Sequence, residues 1–248
     1  MLITSLDNDK IKKCLKLKEK KYRDLYNEFI VEGEHLVIEA YRSGLLEEIL
    51  IKSDEVTMID TEITYITDEI IKKLSTLEVP SHIFGICKKK EENKNLGKKI
   101  LLLDRVQDPG NLGTIIRSSK AFGVDSIVLG EGCCDLYNEK VIRATQGNGF
   151  LMNIVSGNLV NVIKELKEKE IPILGTRVEY GEDIRNLTEK DKQCYALVMG
   201  NEGRGVSSEV LNLCDKFIYI EMEYGVESLN VSRSEERRVG KECRSRWS

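Results

Sequence analysis

The feature that most constrains the fold is a strand–turn–helix signature between Ile100 and Gly123. The apolar run Ile100-Leu101-Leu102-Leu103 leads through Gln107-Asp108-Pro109-Gly110 into the stretch NLGTIIRSSKAFG, Asn111 to Gly123. Asn111 is placed to cap the helix start and Gly123 to end it. Leu112, Ile115, Ile116, Ser119 and Phe122 recur at helical spacing and form a core-facing stripe. Arg117 falls about 200° round from Ile115, since each residue turns about 100°. A guanidinium near the carboxyl end of a strand suits an anionic substrate; an ordinary strand–loop–helix unit with a solvated arginine has the same pattern.

The unit repeats in kind downstream. Strands are predicted at 100–104, 126–129, 153–155, 171–175, 194–199 and 216–220. Helices fall between them, notably Asn158 to Lys169, with Val160, Ile163 and Leu166 inward, and Ser207 to Cys214. Short apolar strands alternating with helices give an α/β fold, its mostly parallel sheet covered by helices on both faces. Ligands of such sheets sit at the carboxyl ends of the strands.

Upstream, residues 1–27 read as one basic helix with Ile11, Leu15, Tyr22 and Leu25 on its apolar side. Phe29 to Val31 is a short strand, and Glu34 to Arg42 a helix stopped by Gly44. Glu48 to Lys52 and Thr64 to Thr67 are strands. Asp68 caps a helix carrying Ile70, Ile71 and Leu74, and VPSHIFGIC supplies a last strand. These elements make a small α/β domain over 1–90. The segment KKKEENKNLGKK, Lys88 to Lys99, has almost nothing apolar to bury, so 91–99 reads as a linker. A second domain then runs over 100–232.

A chain of 248 residues holds one large domain or two small ones. No run approaches the roughly 18 to 20 apolar residues that span a bilayer, and the N-terminus has no signal-peptide core. The seven cysteines include one neighbouring pair, Cys133-Cys134, and no CxxC; the two histidines, His35 and His82, are far apart. No metal site, reduced thiols and a cytoplasmic location are the expectation. Net charge is −4, against a strongly basic nucleic-acid binder. Charge is uneven, however: Lys10, Lys12, Lys13, Lys16, Lys18, Lys20, Lys21 and Arg23 form one basic cluster and Lys88-Lys89-Lys90 another. Such clusters either grip phosphates or simply solvate a face.

Three loops follow predicted strands and carry glycine and short polar residues. They are Asn111 to Gly123, the GNEGRG loop within ALVMGNEGRGVS, and the stretch IEMEYGVESLNVS ending at Ser232. Taken singly, GNEGRG suits a turn needing positive φ, and SLNVS suits a helix cap by Ser228 or Asn230. Neither a P-loop nor a GxGxxG nucleotide signature is present. In this order the three loops resemble the signature motifs of the SpoU-type (TrmH-like) RNA 2′-O-ribose methyltransferases of the SPOUT superfamily. FIVEGEHLVIEAYRSG and VPSHIFGIC resemble the substrate-binding domain of the same family.

The resemblance implies a trefoil-knotted catalytic domain, a homodimer, and S-adenosyl-L-methionine as methyl donor without a metal or a membrane. It implies an RNA-binding domain over 1–90 and a structured RNA substrate, 23S ribosomal RNA before tRNA. A protein that keeps the fold as a non-catalytic RNA-binding or ribosome-assembly factor is the rival. The site residues it implies are Arg117, Asn111, Glu202, Ser228 and Asn230 for catalysis. For the cofactor they are Thr176, Gly200, Ile220, Met222 and Leu229, with Ile220 and Leu229 flanking the adenine. Arg117 would grip the substrate phosphate and assist loss of the 2′-proton, and Glu202 would order Arg117 or a partner's loop.

From Arg233 to Ser248 the pattern departs from the family. RSEERRVGKECRSRWS has only Val239, Cys243 and Trp247 as appreciably apolar residues, interrupted by Gly240. No amphipathic helix of useful length follows, where the family continues into one that completes the knot and the dimer face. The segment 233–248 is read as a foreign tail resembling a vector- or adapter-derived artefact rather than a basic RNA-binding extension. Weak or absent activity is then expected of this polypeptide.

Overall fold

The computed structural model of the protein describes residues 1–177 and 181–221. The chain opens with β1 (Leu2–Ile3), α1 (Asp9–Lys16), α2 (Lys20–Tyr26), β2 (Glu28–Glu32), α3 (Glu34–Arg42), β3 (Leu46–Lys52), β4 (Glu62–Ile66), α4 (Asp68–Leu74) and β5 (Ile83–Lys88). The five strands form one mixed sheet in the order β1-β4-β3-β5-β2, with β5 antiparallel to both its neighbours. Phe29, Val31, Val37, Ala40, Ile49 and Ile51 build a core on one face; Ile11, Cys14, Leu50, Ile66, Ile70 and Phe84 build another.

A second sheet follows. Its elements are β6 (Lys99–Leu103), α5 (Pro109–Ala121) and β7 (Ser126–Leu129), then α6 (Glu139–Thr145), α7 (Asn148–Leu151), β8 (Asn153–Ser156) and α8 (Leu159–Glu168). After these come β9 (Ile173–Thr176), β10 (Glu182–Asp183), α9 (Glu189–Gln193), β11 (Tyr195–Met199), α10 (Ser208–Leu211) and β12 (Lys216–Tyr219). All its strands are parallel, in the order β10-β12-β9-β11-β6-β7-β8. Every residue of β7 and β11 is buried, and so are Ile100 to Leu103 in β6, as a sheet sandwiched between helices requires. The six strands read from the sequence are all present, to within two residues at either end; β10 is additional.

Three expectations need correction. Residues 1–27 are not one helix: α1 stops at Lys16 and α2 starts at Lys20. The freed carbonyls of Leu17 and Lys18 accept hydrogen bonds from Arg23 Nη1 at 2.8 and 2.7 Å, so the arginine is turned inward and buried. Leu17 is buried in place of Leu25, which is 69% exposed. The basic cluster is also spent largely within the chain. Lys10 pairs with Glu48 (2.5 Å), Lys12 with Asp7 (3.1 Å), Lys13 with Glu28 (2.6 Å), Lys20 with Asp24 (2.8 Å) and Lys21 with Glu19 (3.1 Å). Lys89, from the second cluster, reaches Asp24 at 2.5 Å and lies over the Tyr137 ring.

The stretch read as a linker is ordered. Asn153 on the edge strand β8 donates through Nδ2 to the carbonyls of Asn93 (2.9 Å) and Asn95 (3.2 Å). Glu92 Oε1 accepts from the Ser156 backbone N–H at 3.0 Å, and Asp125 accepts from the N–H groups of Lys98 and Lys99. Leu96 packs on the core beneath. Leu96 is the one large apolar side chain in this stretch, and hydrogen bonds from Asn153, Asp125 and Glu92 supply the rest of the anchorage.

The third correction concerns the domain boundaries. The chain divides into two compact units, one of Met1–Glu91 with Asp135–Leu151, the other of Glu92–Cys134 with Met152–Ser248. The segment 135–151, placed by sequence within the 100–232 domain, packs with the first unit. Ile142 and Phe150 join its core, and the Phe29 ring lies 4.8 Å from that of Tyr137 and 5.8 Å from that of Phe150. Arg23 donates through Nε (3.1 Å) and Nη2 (2.5 Å) to Asp135 Oδ2. Among the described residues no helix is long and apolar enough to cross a membrane.

Candidate active site at the carboxyl ends of the parallel strands

From β6 the chain passes through α5 to β7 on one side of the sheet. From β11 it passes through α10 to β12, beyond β9 on the other side. The loops leaving the adjacent strands β6 and β11 therefore diverge, and the crevice between them is the switch point where ligands of parallel sheets bind.

Residues from both loops close on one another there. Asp104, at the end of β6, is buried; its Oδ2 accepts from the Ser207 N–H at 2.6 Å. Asn201 donates through Nδ2 to the Arg105 carbonyl at 2.9 Å, while its Oδ1 accepts from the N–H groups of Gly203 and Arg204, both at 3.0 Å. Asn111 Nδ2 donates to Glu202 Oε1 at 2.8 Å, joining α5 to the GNEGRG loop. That loop is pinched shut by paired backbone bonds between Asn201 and Gly205 (3.0 and 2.9 Å), and Gly205 adopts φ +68°. The positive-φ turn read from the sequence is real, and the turn also carries the polar bridges.

Asn111 is not the helix cap. Pro109 takes the first helical position and Asp108 the N-cap, its Oδ1 accepting from the Asn111 N–H at 2.7 Å. Asn111 is thereby freed to reach Glu202. At the other end the Val124 N–H bonds the Ser119 carbonyl and Gly123 sits at φ +70°, the glycine-terminated ending expected. Leu112, Ile115, Ile116 and Ser119 are buried, Phe122 only half so, and Arg117 is exposed. Among the described residues the Arg117 side chain makes no hydrogen bond or ion pair. Glu202 is thus engaged by Asn111 and not by Arg117.

The cofactor candidates that can be placed lie on neighbouring strand ends. Thr176 ends β9 with its Oγ1 donating to the Val198 carbonyl at 3.1 Å; Gly200 follows β11 and is buried; Ile220 follows β12 and is half-buried. Beside Thr176 opens a cavity of about 590 Å³ lined by Arg177, Arg204, Val206, Leu211 and Phe217 among others. Ser228, Asn230, Met222 and Leu229, together with the tail 233–248, lie outside the described residues. Sequence reasoning missed Asp104 and Asn201; an acidic residue ending an apolar strand was the available signal for the first. Cys133 donates from Sγ to the Leu103 carbonyl at 3.2 Å, and burial raises its pKa, so it is held as a thiol and not as a nucleophile. Among the described residues no cluster of three or more His, Cys, Asp or Glu could hold a metal ion.

Gly200 tolerates no side chain. An added Cβ would lie 2.2 Å from the Gly205 carbonyl carbon and 2.3 Å from the Val206 nitrogen, both backbone. Gly200→Ala is expected to destabilise the protein by about 3 kcal/mol in urea unfolding, because the clash is relieved only by opening the Asn201–Gly205 pair. Gly203→Ala, with nothing nearer than Asn201 Oδ1 at 3.8 Å, is expected to be close to neutral.

An all-parallel sheet with glycine-rich, mutually bridged loops at a switch point defines an α/β enzyme domain built to take a ligand at its strand ends. Residues 98–236 match the SpoU rRNA methylase family and residues 8–85 the MRM3-like substrate-binding domain. The chain belongs to the SpoU family of RNA methyltransferases, whose methyl donor is S-adenosyl-L-methionine. It is 37% identical to the 23S rRNA (guanosine(2553)-2′-O)-methyltransferase RlmP of Bacillus subtilis, over 93% of this chain and 94% of that one. A solved structure from Porphyromonas gingivalis, assigned to the TrmH family of RNA methyltransferases, is 28% identical with a TM-score of 0.85, covering 96% and 98% of the two chains. An AdoMet-bound rRNA methyltransferase from Sinorhizobium meliloti is 26% identical with a TM-score of 0.85, covering 100% and 99%.

Proposed function

We propose that the protein methylates a ribose 2′-hydroxyl of 23S ribosomal RNA in the cytoplasm, working as a homodimer. The observation that carries this reading is the similarity to the Bacillus subtilis 23S rRNA enzyme, which runs through both units. The geometry supports it: Arg117 is exposed and unengaged among the described residues, on the helix that the Asn111–Glu202 bridge ties to the switch point. Asn111, Arg117 and Glu202 together disfavour a non-catalytic RNA-binding protein, which has no use for that arrangement.

The residues present fit S-adenosyl-L-methionine. The Thr176, Gly200 and Ile220 strand ends offer backbone polar groups, a close glycine approach and an apolar contact, and they would hold it with Met222 and Leu229. When bound it supplies an electrophilic methyl group on a sulfonium, and no metal is needed. Arg117 grips the phosphate beside the reacting ribose; because a guanidinium stays protonated it is not the base, so the 2′-proton passes to solvent water while the guanidinium charge favours the developing alkoxide. Asn111 and Glu202 keep the two loops in register, and Ser228 and Asn230 position the ribose.

The test is transfer of labelled methyl to total RNA, followed by mapping. Label in 23S rRNA, at one linkage made resistant to alkali by the 2′-O-methyl group, is the expected result, at a low level where the tail 233–248 stands in place of the family's last helix. Label confined to tRNA, or to a base, overturns the reading.

A further inference from the structure

The Arg105 side chain, between Asp104 and the Asn111 helix, takes no part in the bridges that join the two loops, though its backbone carbonyl does. It is one of four described residues other than glycine with positive φ, at +57°, a backbone shape that side chains disfavour. The fold over-determines it. Its carbonyl accepts from Asn201 Nδ2 at 2.9 Å, and its Nε donates to Asp104 Oδ1 at 3.1 Å. Its stem runs over bare glycine backbone: a Cβ at Gly132 would lie 3.0 Å from Arg105 Cγ. Backbone held in such a conformation by several independent contacts gathers at functional sites.

The pair with Asp104 does not account for the guanidinium. Asp104 is buried and already accepts the Ser207 N–H at 2.6 Å, whereas the Arg105 side chain is 40% exposed. Only Nε is engaged; among the described residues Nη1 and Nη2 meet no acceptor. A stem laid on glycine, a nitrogen clamped by a buried carboxylate and two free donor groups make a rigid fork. It is presented at the carboxyl end of β6, beside the loop that follows β7, while its backbone carbonyl is held by the loop after β11. Rigid forks of this kind bind phosphate through paired N–H donors at little entropic cost.

We propose that Arg105 is a substrate-positioning residue that grips a backbone phosphate of the RNA at the mouth of the site, a contact distinct from that of Arg117. The inference rests on the RNA methyltransferase reading and deepens it. A phosphate held there fixes the strand that carries the target ribose without touching the methyl donor.

The test uses Arg105→Gly, which keeps positive φ at no steric cost, and Arg105→Asn, the side chain that best tolerates it. Binding of an in-vitro-transcribed 23S rRNA is measured across a salt series, with calorimetry of S-adenosyl-L-methionine alongside. Both variants are expected to lose RNA affinity by about five- to tenfold near 0.1 M salt. The slope of log K against log salt should fall by about 0.7 to 0.9, one counterion's share. Cofactor affinity should stay unchanged, and a variant that merely loosens the loop would lose cofactor without changing that slope. RNA affinity and salt slope equal to the unsubstituted chain in both variants would overturn the proposal. Failure of the unsubstituted chain to bind the RNA would instead sink the reading beneath it.

Discussion

Replacing Arg117 by alanine is expected to lower the rate of methyl transfer to RNA by about 10²- to 10⁴-fold, the range of a group that aids proton removal in the transition state. The fold should be untouched, because Leu112, Ile115, Ile116 and Ser119 hold α5 in the core and Arg117 faces away from them. Affinity for S-adenosyl-L-methionine should also hold, since its candidate residues Thr176, Gly200 and Ile220 stand on the ends of β9, β11 and β12 and not on α5. Single-turnover rates with labelled donor, compared with calorimetric binding of the donor alone, separate the two effects. Transfer near the unsubstituted rate would show that the catalytic assignment is wrong. Arg117→Lys keeps the charge and loses the planar fork, so it should recover only part of the rate.

The second large effect is one of stability. Arg23→Ala is expected to cost about 3 to 5 kcal/mol in urea unfolding, the usual penalty for removing one partner of a buried ion pair. Arg23 is 5% exposed and donates to Asp135 and to the carbonyls of Leu17 and Lys18, so its loss strips the end of α1 as well as the charge pair. Arg23→Lys cannot reach all three acceptors from one nitrogen and should cost nearly as much. A loss below about 1 kcal/mol, the level of an exposed pair, would mean that solvent reaches this guanidinium.

Much of the second sheet could be read from the chain because its strands are buried on both faces. Runs such as Ile100 to Leu103 and Tyr195 to Met199 are then continuously apolar and bounded by polar loops. Of the candidate site, two of the three glycine-rich loops read from the chain follow β6 and β11 and meet through Asn111 and Glu202; the third lies outside the described residues. What escaped depends on partners distant in sequence. The helix cap shifted from Asn111 to Asp108 because Pro109 occupies the first helical position, a local signal outweighed by the attraction of Asn111 as a cap. The break between α1 and α2 is settled by Arg23 turning inward to carbonyls and to Asp135, and lysine-rich periodicity runs through that break unchanged. The order in 92–98 comes from Asn153 and Asp125, whose own positions give no sign of it.

The membership of Asp135–Leu151 in the first unit bears on how such a protein is inherited. A recombination that joined a foreign N-terminal half at the 91/92 junction would deliver a core without Ile142 and Phe150, and an Arg23 without Asp135. Descent with exchange of the RNA-recognising half therefore demands matched changes in a stretch that lies between two strands of the other half. Lineages of this architecture should pass both halves on together.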